Sequence, residues 1–314
     1  MSAIPSKERL LEMSWVREKA KSIGFFDCGV SKATALPEDE KKVESWLDAG
    51  MHAEMFWMEK NKEKRYDPTK LVAGAQSVIS CLYPYATNEK LTKENNYKIS
   101  MYAYGKDYHI VVKDKLYELL HQIENHYGDV KARVFVDSAP VLDRAWANKA
   151  GLGFIGKNTM LINRKGGSYF FIGHIVIDLA VEHINNIAEK NFCGSCTLCI
   201  TACPTNALEP FVLDSRKCIS YLTIENKNGI PRQFKNEFND WIFGCDICQE
   251  VCPWNRDTEI HSEEQFRLSE ELLNMKKHDW HQLDEEKFNL LFGHSALQRT
   301  SFNGLKRNIQ YLAE

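Results

Sequence analysis

The stretch CGSCTLCITACP, Cys193 to Pro204, places four cysteines within eleven residues and closes on Cys-Pro. A second run, CDICQEVCP, follows at Cys245 to Pro253. Thiolates this close together serve to hold a metal centre, because short loops aim several sulfurs at one point. Cys193, Cys196, Cys199 and Cys203 follow the spacing C-x2-C-x2-C-x3-C-P. That is the bacterial ferredoxin run for a 4Fe-4S cluster, and in two-cluster proteins its fourth cysteine ligates the other cluster. Zinc prefers two separated C-x2-C pairs. The second set is Cys218, Cys245, Cys248 and Cys252. The crossed rule then predicts one cluster on Cys193, Cys196, Cys199 and Cys252, and the other on Cys203, Cys218, Cys245 and Cys248. The insertion SYLTIENKNGIPRQF between Cys218 and Cys245 is long for a simple ferredoxin and can reach another site. A bland reading, in which the clusters merely staple a small domain, is weaker, because two linked clusters also form an electron path.

Working outward, the chain has 314 residues, 44% hydrophobic and 26% charged, with a net charge of −3. This is globular composition, sized for one large domain or two smaller ones. Nothing global marks a nucleic-acid binder, so any such site is a local patch. The N-terminus MSAIPSKERLLEMSW carries charges where a secretory signal would be apolar. The apolar run from Tyr169 to Val181 is too short to span a membrane and contains His174 and Asp178. The expected compartment is the cytoplasm. Eight of the ten cysteines lie between Cys193 and Cys252, which in a reducing compartment points to metal or redox chemistry. Cys28 and Cys81 sit in the apolar runs FFDCGV and VISCLYPY and read as buried strand residues.

Periodicity predicts helices over residues 7–23, from Pro37 to Gly50, over 107–127, and from Pro140 through PVLDRAWANKA. Strands are expected at FFDCGV, Ser77–Tyr83 and Lys131–Ser138. NTMLINRKGGSYFFIGHIVIDL reads as a hairpin turning at Gly166-Gly167. The fold class is therefore α+β, with a catalytic domain over 1–185 and a ferredoxin-like domain over 186–256. A helical segment over 257–314 is anchored by Leu272, Leu273, Leu283, Phe288, Leu290 and Leu291. GLGFIG, Gly151 to Gly156, matches a dinucleotide fingerprint but follows a helix and precedes a strand, the reverse of the required context. Gly151 reads as a helix C-cap, and the glycines leave room for a close backbone approach by some other large ligand.

VDSAPVLDRAWANKAGLGFIGKNTMLI, CGSCTLCITACPTNAL, KCISYLTIE and GCDICQEVCPWN together resemble the epoxyqueuosine reductase family over nearly the whole chain. The resemblance implies cobalamin in an N-terminal domain similar to reductive dehalogenases and distantly to nitroreductases, with two 4Fe-4S clusters beside it. It implies reduction of an epoxide on a modified tRNA anticodon base to an alkene. The family normally continues into C-terminal HEAT-like repeats, and this chain stops at LKRNIQYLAE, about where they would begin. The family's proton donor matches Asp137. An acid useful at neutral pH needs a raised pKa, which burial beside the corrin would provide; a plain reading makes Asp137 a helix cap. Arg144, two turns along the expected helix, can orient Asp137 or a phosphate, or pair with Asp143. The expected corrin contacts are Ser138, then Lys157, Asn158, Thr159 and Met160 after the glycine turn, Ser168 and Tyr169 after the next glycines, and Ser220 and Tyr221. No D-x-H-x-x-G run is present, so cobalamin is expected base-off with no protein ligand on cobalt.

For tRNA phosphates the candidates are Lys60, Lys62, Lys64, Arg65 and Lys70, and Arg299, Lys306 and Arg307. The first group is equally readable as a paired helix face. Trp57, Tyr104, Tyr108 and His109 are candidates for an aromatic platform. Other partners expected are an external electron donor such as a ferredoxin or flavodoxin; no membrane is expected, and the chain reads as a monomer. Two other readings remain: a corrinoid reductive dehalogenase, and a two-cluster electron carrier with no substrate of its own.

Overall fold

The computed structural model describes residues 10–91, 96–181 and 191–313. Four strands form the central sheet: β1 (Asp27–Lys32), β2 (Ser77–Pro84), β3 (Ala132–Val136) and β4 (Phe170–Ile177). Their order is β1-β2-β4-β3, and every pairing is antiparallel. Alternation along the strands builds two cores. Val30, Ile79, Val134 and Ile175 face helices α1 (Met13–Ile23) and α2 (Tyr108–Tyr127), which supply Val16, Ala20, Val112 and Leu116. Val78, Phe135 and Val176 face the opposite way, onto Trp146 of α3 (Asp143–Lys149). The sheet is buried on both faces, which is why its strands read as continuous apolar runs. Cys28 and Cys81 are opposed across β1 and β2, fully buried, with Sγ atoms 3.5 Å apart.

Three local expectations need correction. The helix expected from Pro140 begins at Asp143. The chain bends first, with Asp137 at φ +51° and the Ser138 N–H bonded to the Val136 carbonyl at 2.6 Å; Ala139, preceding proline, is also biased away from helical geometry. The hairpin at Gly166-Gly167 shrinks to one bridge, Asn163 to Gly167. Leu161–Ile162 pairs instead with Phe154–Ile155, because both edges of β4 are already taken by β2 and β3. The first helix starts at Met13, since Leu10–Leu11 pairs in parallel with Ala180–Val181.

The cysteine segment contributes α4 (Leu198–Ala202) and α5 (Ile219–Ile224). It is stitched to the rest by Trp241–Phe243, which pairs in parallel with Lys98–Ile99. The C-terminal segment forms short helices and ends in α6 (Ser301–Ala313), and these bury Ile99, Phe243, Leu272, Leu283, Phe288, Leu305 and Ile309 in a separate core. Leu290 is not an anchor: it is 79% exposed. Asn308 locks the packing, donating from Nδ2 to the carbonyls of Thr223 and Ile242 at 2.8 Å each.

Candidate active site and cluster segment

Asp137 stands at the end of β3 in the left-handed region, a conformation that costs a non-glycine residue about 1–3 kcal/mol. Its carboxylate is 56% exposed yet strongly engaged. The Tyr108 hydroxyl donates to Oδ2 at 2.5 Å, and His109 Nε2 lies 3.3 Å from the same oxygen. His109 Nδ1 sits 2.7 Å from Asp107 Oδ1, which also caps α2 by accepting the His109 N–H at 2.9 Å. Tyr108 is fixed by stacking on Phe171 of β4, centroids 4.3 Å apart and 2° from parallel, and on His109 at 4.1 Å. The helix start thus delivers Tyr108 and His109 to one carboxylate, with Asp107 behind His109.

The charges follow from this geometry. Burial alone would raise the Asp137 pKa, but hydrogen bonds from His109 and Tyr108, with His109 and Arg299 charge, hold it below the ordinary carboxylate value. Burial alone would lower His109, yet its two carboxylate partners, Asp107 and Asp137, lift it to about 9. At neutral pH the proton therefore resides on the imidazole, sandwiched between two carboxylates. The spacing D-Y-H at a helix start carried the signal; His109 and Tyr108 read from sequence only as aromatic surface.

Arg144 does not touch Asp137. Its guanidinium donates to the Thr159 carbonyl and, at 3.0 Å, to the Thr159 hydroxyl. Asp143 does not pair with it either: Asp143 Oδ1 lies 3.2 Å from His174 Nε2, and His174 Nδ1 is 3.0 Å from Ser80 Oγ. Arg144 is exposed, yet protein crowds it enough to pull its pKa down by burial. Arg299, held by Glu225 through two 2.8 Å bonds, is in electrostatic reach of Asp137 and Tyr108. Asp137 is thus within electrostatic reach of Arg144 on α3 and of Arg299 in the 296–299 turn, and in contact with the start of α2.

The loop after the glycine turn connects Arg144 to the cysteines. Gly151 caps α3 at φ +76°, while a Cβ at Gly153 would lie 2.4 Å from the Ile162 carbonyl, so that glycine admits the protein's own backbone. Lys157 donates from Nζ to the carbonyls of Gly194 and Cys196 at 2.7 and 2.9 Å, and from its backbone toward Cys193 Sγ at 3.4 Å. Asn158 Nδ2 reaches the Cys248 carbonyl at 3.3 Å, and its Oδ1 accepts the Met160 N–H at 3.2 Å. Thr159 turns the other way, to Arg144. Ser168 is buried against Asn255 and Gln249, and buried Tyr169 packs edge-on to Tyr85. The Tyr221 hydroxyl accepts the Glu54 N–H at 3.0 Å, and Ser220 is half-buried on α5. Ser138 is exposed beside Asp137.

The eight clustered cysteines fall into two neighbourhoods. Cys252 is in electrostatic reach of Cys193, Cys199 and Cys196. Cys245 faces Cys218 and Cys248, Cys218 faces Cys203, and Cys248 also reaches Cys199. The Ala207 N–H points at Cys203 Sγ at 3.3 Å.

The basic candidates divide. Arg65 is buried and donates to the Trp57 carbonyl, Lys62 pairs with Glu44 at 2.6 Å, and Arg307 bonds the Asn226 and Leu222 carbonyls. Lys60, Lys64 and Lys70 remain exposed beside Phe56 and Trp57, which are exposed too.

A family model for epoxyqueuosine reductase QueG, DUF1730, matches residues 65–138, which end just past Asp137. An epoxyqueuosine reductase of Leadbetterella byssophila is 50% identical over 299 residues, covering 95% of this chain and 97% of that protein. The chain belongs to the epoxyqueuosine reductase family. A 4Fe-4S double cluster binding domain model matches residues 192–255, so this epoxyqueuosine reductase family member carries the iron–sulfur segment its cysteine spacing predicts. A crystal structure of epoxyqueuosine reductase with an epoxyqueuosine-modified tRNA-Tyr stem loop superposes with a TM-score of 0.87 at 28% identity, covering 95% of this chain and 80% of that one. The Bacillus subtilis enzyme, at TM-score 0.85 and 26% identity over 95% of this chain and 80% of that one, is described with an aspartate catalytic loop swung out of its active site. Epoxyqueuosine reductases are oxidoreductases, and the mixed helix-and-sheet fold is theirs.

Proposed function

We propose that this chain reduces the epoxide of epoxyqueuosine in a tRNA anticodon, with the Asp137–His109–Asp107 array as its proton source. The observation that carries the reading is the array itself: an exposed carboxylate, on a strained residue, hydrogen-bonded to an imidazole whose pKa is lifted to about 9. Removing epoxide oxygen as water consumes two electrons and two protons, and the oxygen leaves only if protonated. Asp137, ionised at rest, takes the proton from His109 and hands it to the reacting oxygen; Asp107 keeps His109 charged, and the imidazole draws the second proton from solvent. Tyr108 holds the carboxylate oriented throughout. The aspartate loop described for the Bacillus subtilis relative supports this role for Asp137.

The donor set fits cobalamin: the amide, hydroxyl and guanidinium groups of Asn158, Thr159, Ser220 and Arg144 suit a macrocycle edged with amides. Those residues, with Ser138 and Met160, would hold it, and Lys157, Ser168, Tyr169 and Tyr221 would support them through the bonds and packing described above. Bound there, cobalamin supplies low-potential electrons to the substrate. The clusters are assigned by the crossed pattern, Cys193, Cys196, Cys199 and Cys252 for one and Cys203, Cys218, Cys245 and Cys248 for the other, which the two cysteine neighbourhoods support. Phe56 and Trp57 with Lys60 and Lys64 suit the tRNA stem loop. The chain works in this reading as a cytoplasmic monomer fed by a separate electron carrier.

The test uses protein reconstituted anaerobically with iron, sulfide and cobalamin. About eight iron atoms per chain, a bound corrin and conversion of epoxyqueuosine in tRNA are expected. Asp137→Asn should keep both cofactors and lose turnover by about 10²–10⁴-fold. Full activity in that variant removes Asp137 as the acid, and iron without corrin favours an electron carrier instead.

A further inference from the structure

We propose that the surface around Phe192, Leu198, Phe211 and Val212 is the docking site for a small acidic protein that carries one electron at a time. The inference rests on the reading of the clusters as an electron path. These four side chains are 37–50% exposed, although each is large and apolar. Contiguous exposed apolar groups mark interaction surfaces. Phe192 directly precedes Cys193, and Leu198 sits between Cys196 and Cys199, so apolar contacts flank three thiols of one set. Lys157 joins the two halves of the surface: its carbonyl accepts the Phe211 N–H at 3.0 Å while its amino group holds the 194–196 loop.

Charge identifies the occupant. The chain carries −3 overall, yet this corner presents cations. The Arg164 guanidinium lies over the Phe192 ring at 4.6 Å, and Lys157 bonds only carbonyls through its amino group; neither has a carboxylate partner among the described residues. Glu209, exposed and opposite Val212, adds a negative charge to the adjoining hairpin, but Arg164, Lys165 and Lys157 outnumber it, and an apolar centre with a net cationic rim favours an anionic partner and speeds its encounter. The opposite set of thiols points elsewhere: Cys218 opens α5, which leads to Glu225 and through it to Arg299 beside Asp137. Electrons therefore enter at the set nearest Phe192 and leave from the set nearest Asp137. Each encounter oxidises the carrier by one electron and reduces the cluster by one, with no proton or group moved.

The experiment mixes reduced flavodoxin with the reconstituted full-length chain in an anaerobic stopped-flow instrument and follows bleaching of the clusters. Arg164→Glu and, separately, Phe211→Glu should slow reduction by flavodoxin about tenfold and flatten its salt dependence. Reduction by dithionite, too small to need docking, should stay at the wild-type rate. Wild-type flavodoxin rates in both variants overturn the proposal. Carbodiimide cross-linking of the wild-type pair decides independently of any folding defect: links from flavodoxin carboxylates to Lys165 support the site, and links confined to Lys60, Lys64 or Lys70 overturn it. Failure of dithionite to reduce the wild-type clusters would instead sink the electron-path reading itself.

Discussion

Asp107→Asn isolates the charge that keeps His109 protonated. Asparagine caps helices as well as aspartate does, so its side-chain oxygen still accepts the His109 N–H and α2 keeps its start. What is lost is one of two carboxylates that lift the imidazole from its ordinary 6.5 to about 9. Asp107 is the nearer, at 2.7 Å against 3.3 Å for Asp137. The imidazole in the variant should therefore titrate lower than about 9, with Asp137 still beside it. The sign is definite: a raised histidine pKa means the charged form is fully favoured below 6.5 and lost as pH climbs through about 9. Wild-type turnover should therefore decline on an alkaline limb near 9, and the variant's limb should move to lower pH, by at most about 2.5 pH units, the whole lift above 6.5. At pH 8.5 roughly three-quarters of the wild-type imidazole is protonated, so the variant should lose turnover several-fold there, while the two enzymes converge as pH falls below about 6. The assay is single-turnover conversion of epoxyqueuosine in tRNA, read by nucleoside mass spectrometry with dithionite as reductant. An unmoved alkaline limb, or a loss equal at all pH values, would refute the proton-source role of His109.

Three further outcomes are expected. Cys193→Ser and Cys252→Ser should each drop iron from about eight to about four per chain and leave the same residual EPR signal, while Cys203→Ser and Cys218→Ser should share the other signal; sequential pairing of the cysteines would swap Cys252 with Cys203. Gly105→Ala places a Cβ 2.3 Å from the Gln265 carbonyl and 2.5 Å from Phe266 Cα, both backbone atoms. Because neither can rotate away, it should cost about 1–3 kcal/mol in denaturant unfolding. Asn308→Ala strips hydrogen bonds from two buried carbonyls and should cost roughly 2–3 kcal/mol, visible as earlier thermal loss of the C-terminal helices by circular dichroism.

The cysteine segment was legible from sequence because ligand spacing is a local property: C-x2-C-x2-C-x3-C-P constrains a short loop whatever surrounds it. The strands and long helices were legible for a related reason, since a sheet buried on both faces writes its apolar runs directly into the chain. What tertiary structure decided lies where distant segments meet. The helix after β3 starts late because Asp137 and the residue before Pro140 bend the chain, and Leu161–Ile162 pairs locally because β4 has no free edge. Leu290 carries the same apolar character as Leu283, but the surface it faces is water. Most of all, the protonation of Asp137 was invisible in sequence. Burial by itself predicts a raised pKa, and only the arrival of Tyr108, His109 and Asp107 from a helix some 30 residues earlier, with Arg299 from far later in the chain, reverses the sign. Composition records which groups can titrate; distances of about 3 Å between remote segments determine which of them holds the proton.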